Sequence, residues 1–230
     1  MEKLQVYLND LENRIDEETE AQLADDWLRF ADKKIRADYF KPKRGRKAGS
    51  SLEWPKMKAN DALKSYDNMI YHELYRAHEQ LRDGGGELLS FRGNYGTAIL
   101  PSLFGAEVCV MPYEQDSLPC SRPLENAPEV IKKLSASGKK IDVKSGYALK
   151  PFEAAERLME LLKYFPKLSK YLYIYMPDTQ GPASIMEALF GSGFYLMFYD
   201  DPGLVHRTLE LTTDVFIRYA RAWHQSFPLR

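Results

Sequence analysis

The residues best suited to chemistry follow the apolar run YLYIYM: Asp178, Thr179 and Gln180 come next, before Gly181 and a proline that open a helix-like pattern. A carboxylate there can orient a ligand donor, or transfer a proton if burial raises its pKa. Gln180 offers one acceptor and two donors, and the free N–H groups of the helix can bind an anion or a polar ligand edge. We predict a catalytic role for Asp178 and substrate binding by Thr179, Gln180 and Gly181. The alternative is that Asp178 caps the helix.

A second polar segment, Arg92, Asn94 and Tyr95, follows the apolar run LLSF. Arginine can hold a carboxylate through two parallel hydrogen bonds, so we predict that these three residues bind substrate. Simpler roles are open as well. Arg92 can pair with a structural acid such as Glu107. Asn94 can serve a turn, and Tyr95 can pack in the core. In a barrel both segments lie at the carboxyl ends of strands, where they face one cavity.

Strands alternate with helices through much of the chain. The runs LLSF, AEVCVMP and YLYIYM predict strands, and YLYIYM is apolar on both faces, as in a parallel sheet covered on both sides. One helix is predicted from Pro182, and a long one from Asp201 and Pro202, where aspartate caps and proline occupies the first turn. The sequence therefore predicts an α/β fold, a partial (β/α)8 TIM-type barrel of about four to five units.

A helical segment precedes the predicted barrel. Apolar spacing indicates helix over residues 1 to about 38, and a second helix from near Asn60 to the glycine run DGGGE. A basic loop at 41–55 lies between them, and its charges either bind an anion or are solvated. We place the domain division at an N-terminal helical segment, 1–85, and an incomplete barrel, 86–230.

The chain is too short for a helical segment and a whole barrel. A complete barrel needs about 250 residues, whereas about 145 of the 230 residues remain after the helical segment. An incomplete barrel exposes sheet edges and apolar surface. The sequence thus predicts a fragment of a longer protein or a chain that needs a partner, with a homo-oligomer through an exposed sheet edge as one form. A small open α/β sheet is the alternative.

Composition favours a small-molecule ligand over nucleic acid or a membrane. The net charge is −1, and no apolar run reaches the roughly 20 residues of a membrane helix. The charged N-terminus is unlike a secretory signal and there are two cysteines, so we expect a cytoplasmic protein. The sequence has no phosphate-binding glycine loop, dinucleotide fingerprint, serine elbow, His-x-Cys or Cys-x-x-Cys, so we expect no metal and no cofactor within this chain.

Two longer passages resemble the uroporphyrinogen decarboxylase superfamily. The first is FRGNYGTAILPSLFGAEVCVMP with DSLP, and the second is DTQGPASIMEALFGSGFYLMFYDDPGLVHRTLELTTDVFIRYARA. The second is the more specific, through its Gly-Pro, glycine and Asp-Pro positions. EWPKMKANDAL is similar to an uncharacterised bacterial branch. The resemblance covers residues 50–226.

The resemblance implies a barrel enzyme acting on a tetrapyrrole or a corrinoid-linked substrate. In a decarboxylase, a lyase, Asp178 would stabilise a protonated pyrrole. The alternative is a methyltransferase, whose zinc ligands and corrinoid partner would belong to a longer parent protein, because the family's zinc ligands lie in its C-terminal half. The arginine-rich RQAGRY-like motif of the haem-pathway enzyme has no counterpart here. We expect this chain alone to be inactive. A non-catalytic half barrel that works only with a partner chain is a further alternative.

Overall fold

A computed structural model describes residues 2–35 and 39–228, without the side chains of Glu2 and Lys3. Helices dominate this part of the chain. They are α1 (Glu2–Arg14), α2 (Glu17–Ala31), α3 (Ala59–Ala62), α4 (Tyr66–Asp83), α5 (Ala127–Ser137), α6 (Gly146–Leu162), α7 (Pro166–Tyr171), α8 (Pro182–Phe190), α9 (Phe194–Asp200) and α10 (Pro202–Ser226). Short 3-10 turns occupy Pro101–Phe104, Tyr113–Gln115 and Gly191–Gly193. The strands are β1 (Ser90–Phe91), β2 (Val108–Cys109), β3 (Cys120–Ser121) and β4 (Tyr173–Ile174).

The predicted partial TIM-type barrel is wrong. The structure is 60% helical with only 4% strand, in two sheets of two strands each. β1 pairs with β4 in parallel, whereas β2 pairs with β3 antiparallel. Short apolar runs do not distinguish strands from other buried segments. The run YLYIYM shows this. Its first residue, Tyr171, is the last residue of α7, and only two residues of the run, Tyr173 and Ile174, are strand. Tyr175 is 39% exposed, so the run is not covered on both sides.

The described residues form two compact units, each made of separate stretches of chain. Unit 1 contains the residues up to Arg92 together with Ala154–Tyr175, and unit 2 contains Gly93–Glu153 and the residues from Met176 onward. The chain leaves unit 1 directly after each of the paired strands β1 and β4. The predicted division into 1–85 and 86–230 stays a prediction.

Unit 1 begins with two helices where the sequence predicted one. The apolar stripe of α1 is buried as expected, including Leu8 and Leu11. The helix ends because the carboxylate of Asp16 accepts a hydrogen bond from the Thr19 N–H at 2.9 Å and so caps α2. α2 ends at Ala31, and residues 36–38 of the predicted helix lie outside the described residues.

The next long helix, α4, begins after Ser65 rather than near Asn60. The Ser65 hydroxyl accepts from the Asn68 N–H at 3.1 Å, which is a hydroxyl cap. The predicted C-terminal glycine is confirmed, because Gly84 has φ +71° and the left-handed conformation that favours glycine. The sequence therefore predicted the glycine at the end of α4 correctly, but its prediction of Asn60 as the N-cap is wrong.

Unit 2 contains the two helices predicted from Pro182 and from Asp201. Asp201 caps α10, its carboxylate accepting from the Leu204 N–H at 2.9 Å, so that prediction is confirmed. The buried face of α10 includes Tyr219 and Trp223, which pack edge-on against Phe152. No helix within the described ranges has both the length and the apolar character that crossing a membrane requires.

Candidate functional site

The paired strands β1 and β4 form a small parallel sheet within unit 1. Ser90 lies opposite Tyr173 and Phe91 opposite Ile174. The Tyr175 N–H donates to the Phe91 carbonyl at 2.9 Å, so the pairing continues past the strand bounds. In parallel strands the carboxyl ends lie at the same edge of the sheet. That the polar segments after LLSF and YLYIYM face one cavity stays a prediction.

Arg92 is the last residue of unit 1 before the chain enters unit 2. The structural alternative for this residue was a pair with Glu107. Glu107 pairs instead with Arg122, at 2.8 Å between Nη1 and Oε2. Arg92 is half-buried and has no ion pair within the residues that the structure describes. Its predicted role in binding a carboxylate stays a prediction.

Asn94 and Tyr95 lie in a tight bend between two glycines. A Cβ on Gly93 would lie 3.3 Å from the Pro151 Cα, and one on Gly96, at φ +76°, would lie 2.0 Å from the Pro119 carbonyl oxygen. Neither glycine can therefore be replaced without moving backbone. The bend is a close-packed segment that fixes the position of Asn94.

Tyr95 is a buried ring in this bend, only 1% exposed. It packs edge-on against Tyr147, with ring centroids 6.0 Å apart, and the Tyr147 hydroxyl donates to the Tyr95 carbonyl at 2.9 Å. Burial raises the pKa of Tyr147, so this hydroxyl keeps its proton and remains a donor. The predicted contact of Tyr95 with substrate stays a prediction.

Asp178 does not cap the helix that follows it. The N-cap of α8 is Gly181, without a side-chain cap, and the Gly181 carbonyl accepts the first helical bond from Ile185 at 2.9 Å. The Thr179 N–H donates to the Pro177 carbonyl at 2.7 Å, which turns the chain sharply before the helix. Asp178 is exposed, whereas Thr179 and Gln180 are half-buried. The alternative that Asp178 caps the helix is therefore wrong.

Two predicted site residues carry buried polar atoms that lack a hydrogen-bond partner in the described part of the chain. They are Asn94 Oδ1 and Thr179 Oγ1. A buried polar atom without a partner costs about 1–3 kcal/mol. Native proteins rarely keep such atoms unless a ligand, an ion or water completes them. Both residues lie in unit 2, and both follow a strand end where the sequence predicted a ligand.

Metal ligands do not gather in this structure. Over 2–35 and 39–228, no group of three or more His, Cys, Asp or Glu side chains could hold a metal ion. Cys109 and Cys120 are free thiols that lie opposite each other in the β2–β3 pair. The predicted site residues offer the amides of Asn94 and Gln180, two hydroxyls, a guanidinium and the carboxylate of Asp178 as their ligand groups.

The structure also contains a polar network in unit 1 that the sequence interpretation missed. Asp10 accepts from Trp54 Nε1 at 2.9 Å, from the Ser50 hydroxyl at 2.7 Å and from Arg14 at 2.7 Å. Arg14 also donates to His78 Nδ1 at 3.0 Å. No local sequence pattern relates His78 to a side chain 64 positions away, so this contact could not be predicted.

A cavity of about 580 Å³ in unit 1 was not predicted either. The residues that line it include Tyr7, Tyr71, Lys56 and Asp61. Tyr71 donates to a backbone carbonyl, that of Pro55, at 2.6 Å, and burial raises its pKa.

Comparison with family models, with curated proteins and with solved structures finds no match to this chain.

Proposed function

We propose that Asn94 and Thr179 bind a tetrapyrrole, Asn94 through a pyrrole N–H and Thr179 through a carboxylate, and that the chain is part of an enzyme acting on such a substrate in the manner of a decarboxylase. The observation that carries the proposal is that Asn94 Oδ1 and Thr179 Oγ1 are buried without partners in the described structure. These two atoms belong to residues that the sequence had already marked as substrate-binding. A ligand that bonds to both would remove the cost of burying them.

The chemistry of a tetrapyrrole suits the two atoms. Its pyrrole N–H groups are donors that the Asn94 amide oxygen can accept, and its carboxylates are acceptors to which the Thr179 hydroxyl can donate. Asp178 is exposed close by in sequence, where it can stabilise positive charge that develops on a pyrrole. Gln180 and the N–H groups that follow Gly181 add further polar contacts.

The resemblance of the two longer passages to uroporphyrinogen decarboxylases supports this substrate class, although the barrel of that superfamily is not part of the proposal. Methyl transfer with zinc and a corrinoid held by a longer parent protein is the alternative within the same superfamily. We propose a cytoplasmic protein, in keeping with its two cysteines, Cys109 and Cys120, since a reducing compartment keeps such thiols free.

Titration with uroporphyrin, a stable tetrapyrrole octacarboxylate, tests the proposal without requiring turnover. Thr179→Val removes the hydroxyl at nearly constant shape, and Asn94→Ala removes the amide. Each is expected to weaken binding roughly 10-fold or more, the size of one lost hydrogen bond to a charged or buried group. Thr97→Val and Asn126→Ala are the matched controls, since both side chains are exposed and belong to the same unit. Equal affinities for all five proteins, or no binding, would contradict the proposal.

A second candidate function, association with another copy of the chain, rests on α9. Four large side chains of this seven-residue helix are at least half exposed: Tyr195, Leu196, Phe198 and Tyr199. Apolar groups clustered in this way mark interaction surfaces more often than single exposed residues do. Leu196→Glu should convert a dimer to a monomer in light scattering after size-exclusion chromatography. Tyr164→Glu, at an exposed ring outside α9, should not. A wild-type protein that is monomeric at high concentration would exclude this candidate.

A further inference from the structure

The basic loop that the sequence left open between anion binding and solvation lies against a cavity in unit 1. The cavity has a volume of about 530 Å³, within the range of small-molecule sites. Four cationic side chains line it, Lys41, Lys43, Arg46 and Lys47, and the rings of Trp27 and Phe40 form part of its wall. Two acids, Asp83 and Glu87, also line it.

The charge of this cavity is not balanced from within. Asp83 pairs with Arg82 at 2.8 Å and Glu87 pairs with Arg76 at 2.7 Å, so both acids are already neutralised by arginines that do not line the cavity. Arg46 lies 3.2 Å from Asp16.

The three lysines of the cavity have no ion pair among the residues that the structure describes, although Lys47 contributes to lowering the pKa of Asp83, after the larger effect of Arg82. They are Lys41, Lys43 and Lys47. Several like charges around one concave surface raise the local concentration of anions. The chain as a whole has a net charge of −1, so this cavity is a local exception and not a consequence of composition.

The loop is held in place by Arg44. This side chain is buried, and in the sequence it lies between Lys43 and Lys47. Its guanidinium makes two contacts with the Glu20 carboxylate, at 2.6 and 2.9 Å, and a third with the Gly85 carbonyl at 2.6 Å. The Ala48 N–H donates to the Leu81 carbonyl at 2.8 Å, which fixes the end of the loop. The lysines therefore extend from an anchored backbone, so binding a ligand does not require ordering the chain first.

The glycine run after α4 lets this loop approach closely. A Cβ on Gly86 would lie 1.9 Å from the Pro42 carbonyl oxygen, and one on Gly84 would lie 3.0 Å from the Arg46 carbonyl oxygen. The Trp27 indole N–H donates to the Gly86 carbonyl at 2.8 Å, which fixes the ring at the cavity wall. The run DGGGE thus ends a helix and also forms one side of the cavity.

We propose that this cavity binds a nucleotide, with Lys41, Lys43 and Lys47 holding its phosphates and the Trp27–Phe40 wall contacting its base. Lysine ammonium groups are compact point charges that suit phosphate oxygens. Aromatic side chains contact nucleobases through their π faces. A phosphate chain without a base would satisfy the lysines alone, so the two parts of the proposal can be separated.

Calorimetric titration with ATP and with tripolyphosphate tests both parts. ATP is expected to bind at least fivefold more tightly than tripolyphosphate, and both affinities should fall as salt is added. The triple variant Lys41→Gln, Lys43→Gln, Lys47→Gln should weaken both ligands at least tenfold. A control triple variant with the same charge change in unit 2, Lys132→Gln, Lys133→Gln, Lys139→Gln, should change neither by more than twofold. Matching thermal unfolding of the two triple variants checks that both are folded.

Trp27→Phe provides a second, independent readout. It should reduce ATP affinity severalfold and leave tripolyphosphate affinity unchanged. Binding of neither ligand at millimolar concentration, or equal losses in the two triple variants, would overturn the proposal. Equal affinity for ATP and tripolyphosphate would overturn its nucleotide part.

Discussion

One pair of buried polar side chains in unit 1 and another in unit 2 differ in whether they have hydrogen-bond partners. In unit 1, Glu20 and Arg44 are 3% and 2% exposed, and their side chains satisfy each other through two contacts. In unit 2, the buried Asn94 Oδ1 and Thr179 Oγ1 have no partner within the described ranges. Burying polar groups costs free energy unless they are hydrogen-bonded. The Glu20–Arg44 pair is therefore typical of a structural role, whereas the unpartnered atoms of Asn94 and Thr179 are typical of a ligand site.

This difference is not a general looseness of unit 2. The Thr208 and Thr212 hydroxyls are also buried there, and each donates to a backbone carbonyl one helical turn earlier, at 2.8 and 3.0 Å. The same residue type is therefore bonded in α10 and without a partner at Thr179. Burial of a threonine hydroxyl in unit 2 therefore does not by itself leave that hydroxyl without a partner.

The largest effect is expected at the buried pair of unit 1. Arg44→Met leaves the Glu20 carboxylate buried and uncompensated, which should lower the free energy of unfolding by about 3–5 kcal/mol. Arg46→Met is the matched control, because its partner Asp16 is exposed and such pairs contribute about 0–1 kcal/mol. Urea unfolding monitored by tryptophan fluorescence measures both. Similar losses in the two variants would show that the loop is not anchored by Arg44.

The network around His78 should make unit 1 sensitive to acid. Burial, with smaller contributions from Arg14 and Arg82, lowers the pKa of His78 to about 4, while Asp10 and Asp83 oppose the shift. The unfolded chain therefore binds a proton below pH 6.5 that the folded chain does not, and stability contributed by neutral His78 is present above pH 6.5 and lost as the pH falls toward 4.

The size of this effect is bounded by one proton, at most about 1.4 kcal/mol per pH unit between those values. Urea unfolding of the wild type and of His78→Leu at pH 7, 6, 5 and 4 isolates the contribution as the difference between their slopes. The wild type should lose stability more steeply. Parallel pH profiles, or a proton NMR titration of His78 near its ordinary pKa, would contradict the network.

A smaller effect distinguishes the bonded threonine from the one without a partner. Thr208→Val removes a hydrogen bond and is expected to cost about 0.5–1.5 kcal/mol. Thr179→Val removes a buried hydroxyl that has no partner in the described structure, so it should be neutral or stabilising. Urea unfolding without ligand compares the two variants. An equal loss in both would mean that the Thr179 hydroxyl bonds to the protein.

The smallest effect concerns the β2–β3 register of unit 2. Cys109 lies opposite Cys120. The Arg122 N–H donates to the Glu107 carbonyl, so Glu107 and Arg122 form a hydrogen-bonded pair. Because such pairs alternate along an antiparallel ladder, the Cys109–Cys120 pair, two residues along, is also a hydrogen-bonded pair. Their Cα atoms then lie about 5.5 Å apart, within the range of disulfides. Mild oxidation with diamide should join the two thiols within one molecule, measured by mass spectrometry after digestion. Crosslinks between molecules instead would contradict the register.

Local signals predicted the parts of the fold that depend on neighbouring residues. The Asp201 cap of α10, the start of α8 at Pro182 and the glycine that ends α4 each follow from a few adjacent side chains. The barrel prediction was wrong because the pairing of strands is non-local. A short apolar run such as YLYIYM does not show whether it is a strand or which segment it would pair with. The same reason hid the Glu20–Arg44 pair, whose members are 24 positions apart.

The candidate site was predicted in its residue types and not in its architecture. Polar residues after the two strands were identified from their position, but the sequence could not show which of them are buried. Asn94 and Thr179 became the strongest candidates only through the burial of their oxygen atoms. Asp178 was weighed as a helix cap, and the structure gives that position to Gly181.

A crystal structure of the protein with bound uroporphyrin is the most direct test of the account. We expect a ligand pyrrole nitrogen within hydrogen-bond distance, about 2.7–3.2 Å, of Asn94 Oδ1, and a ligand carboxylate oxygen at that distance from Thr179 Oγ1. A structure in which both oxygen atoms bond to protein groups, with the ligand absent or bound elsewhere, would contradict it.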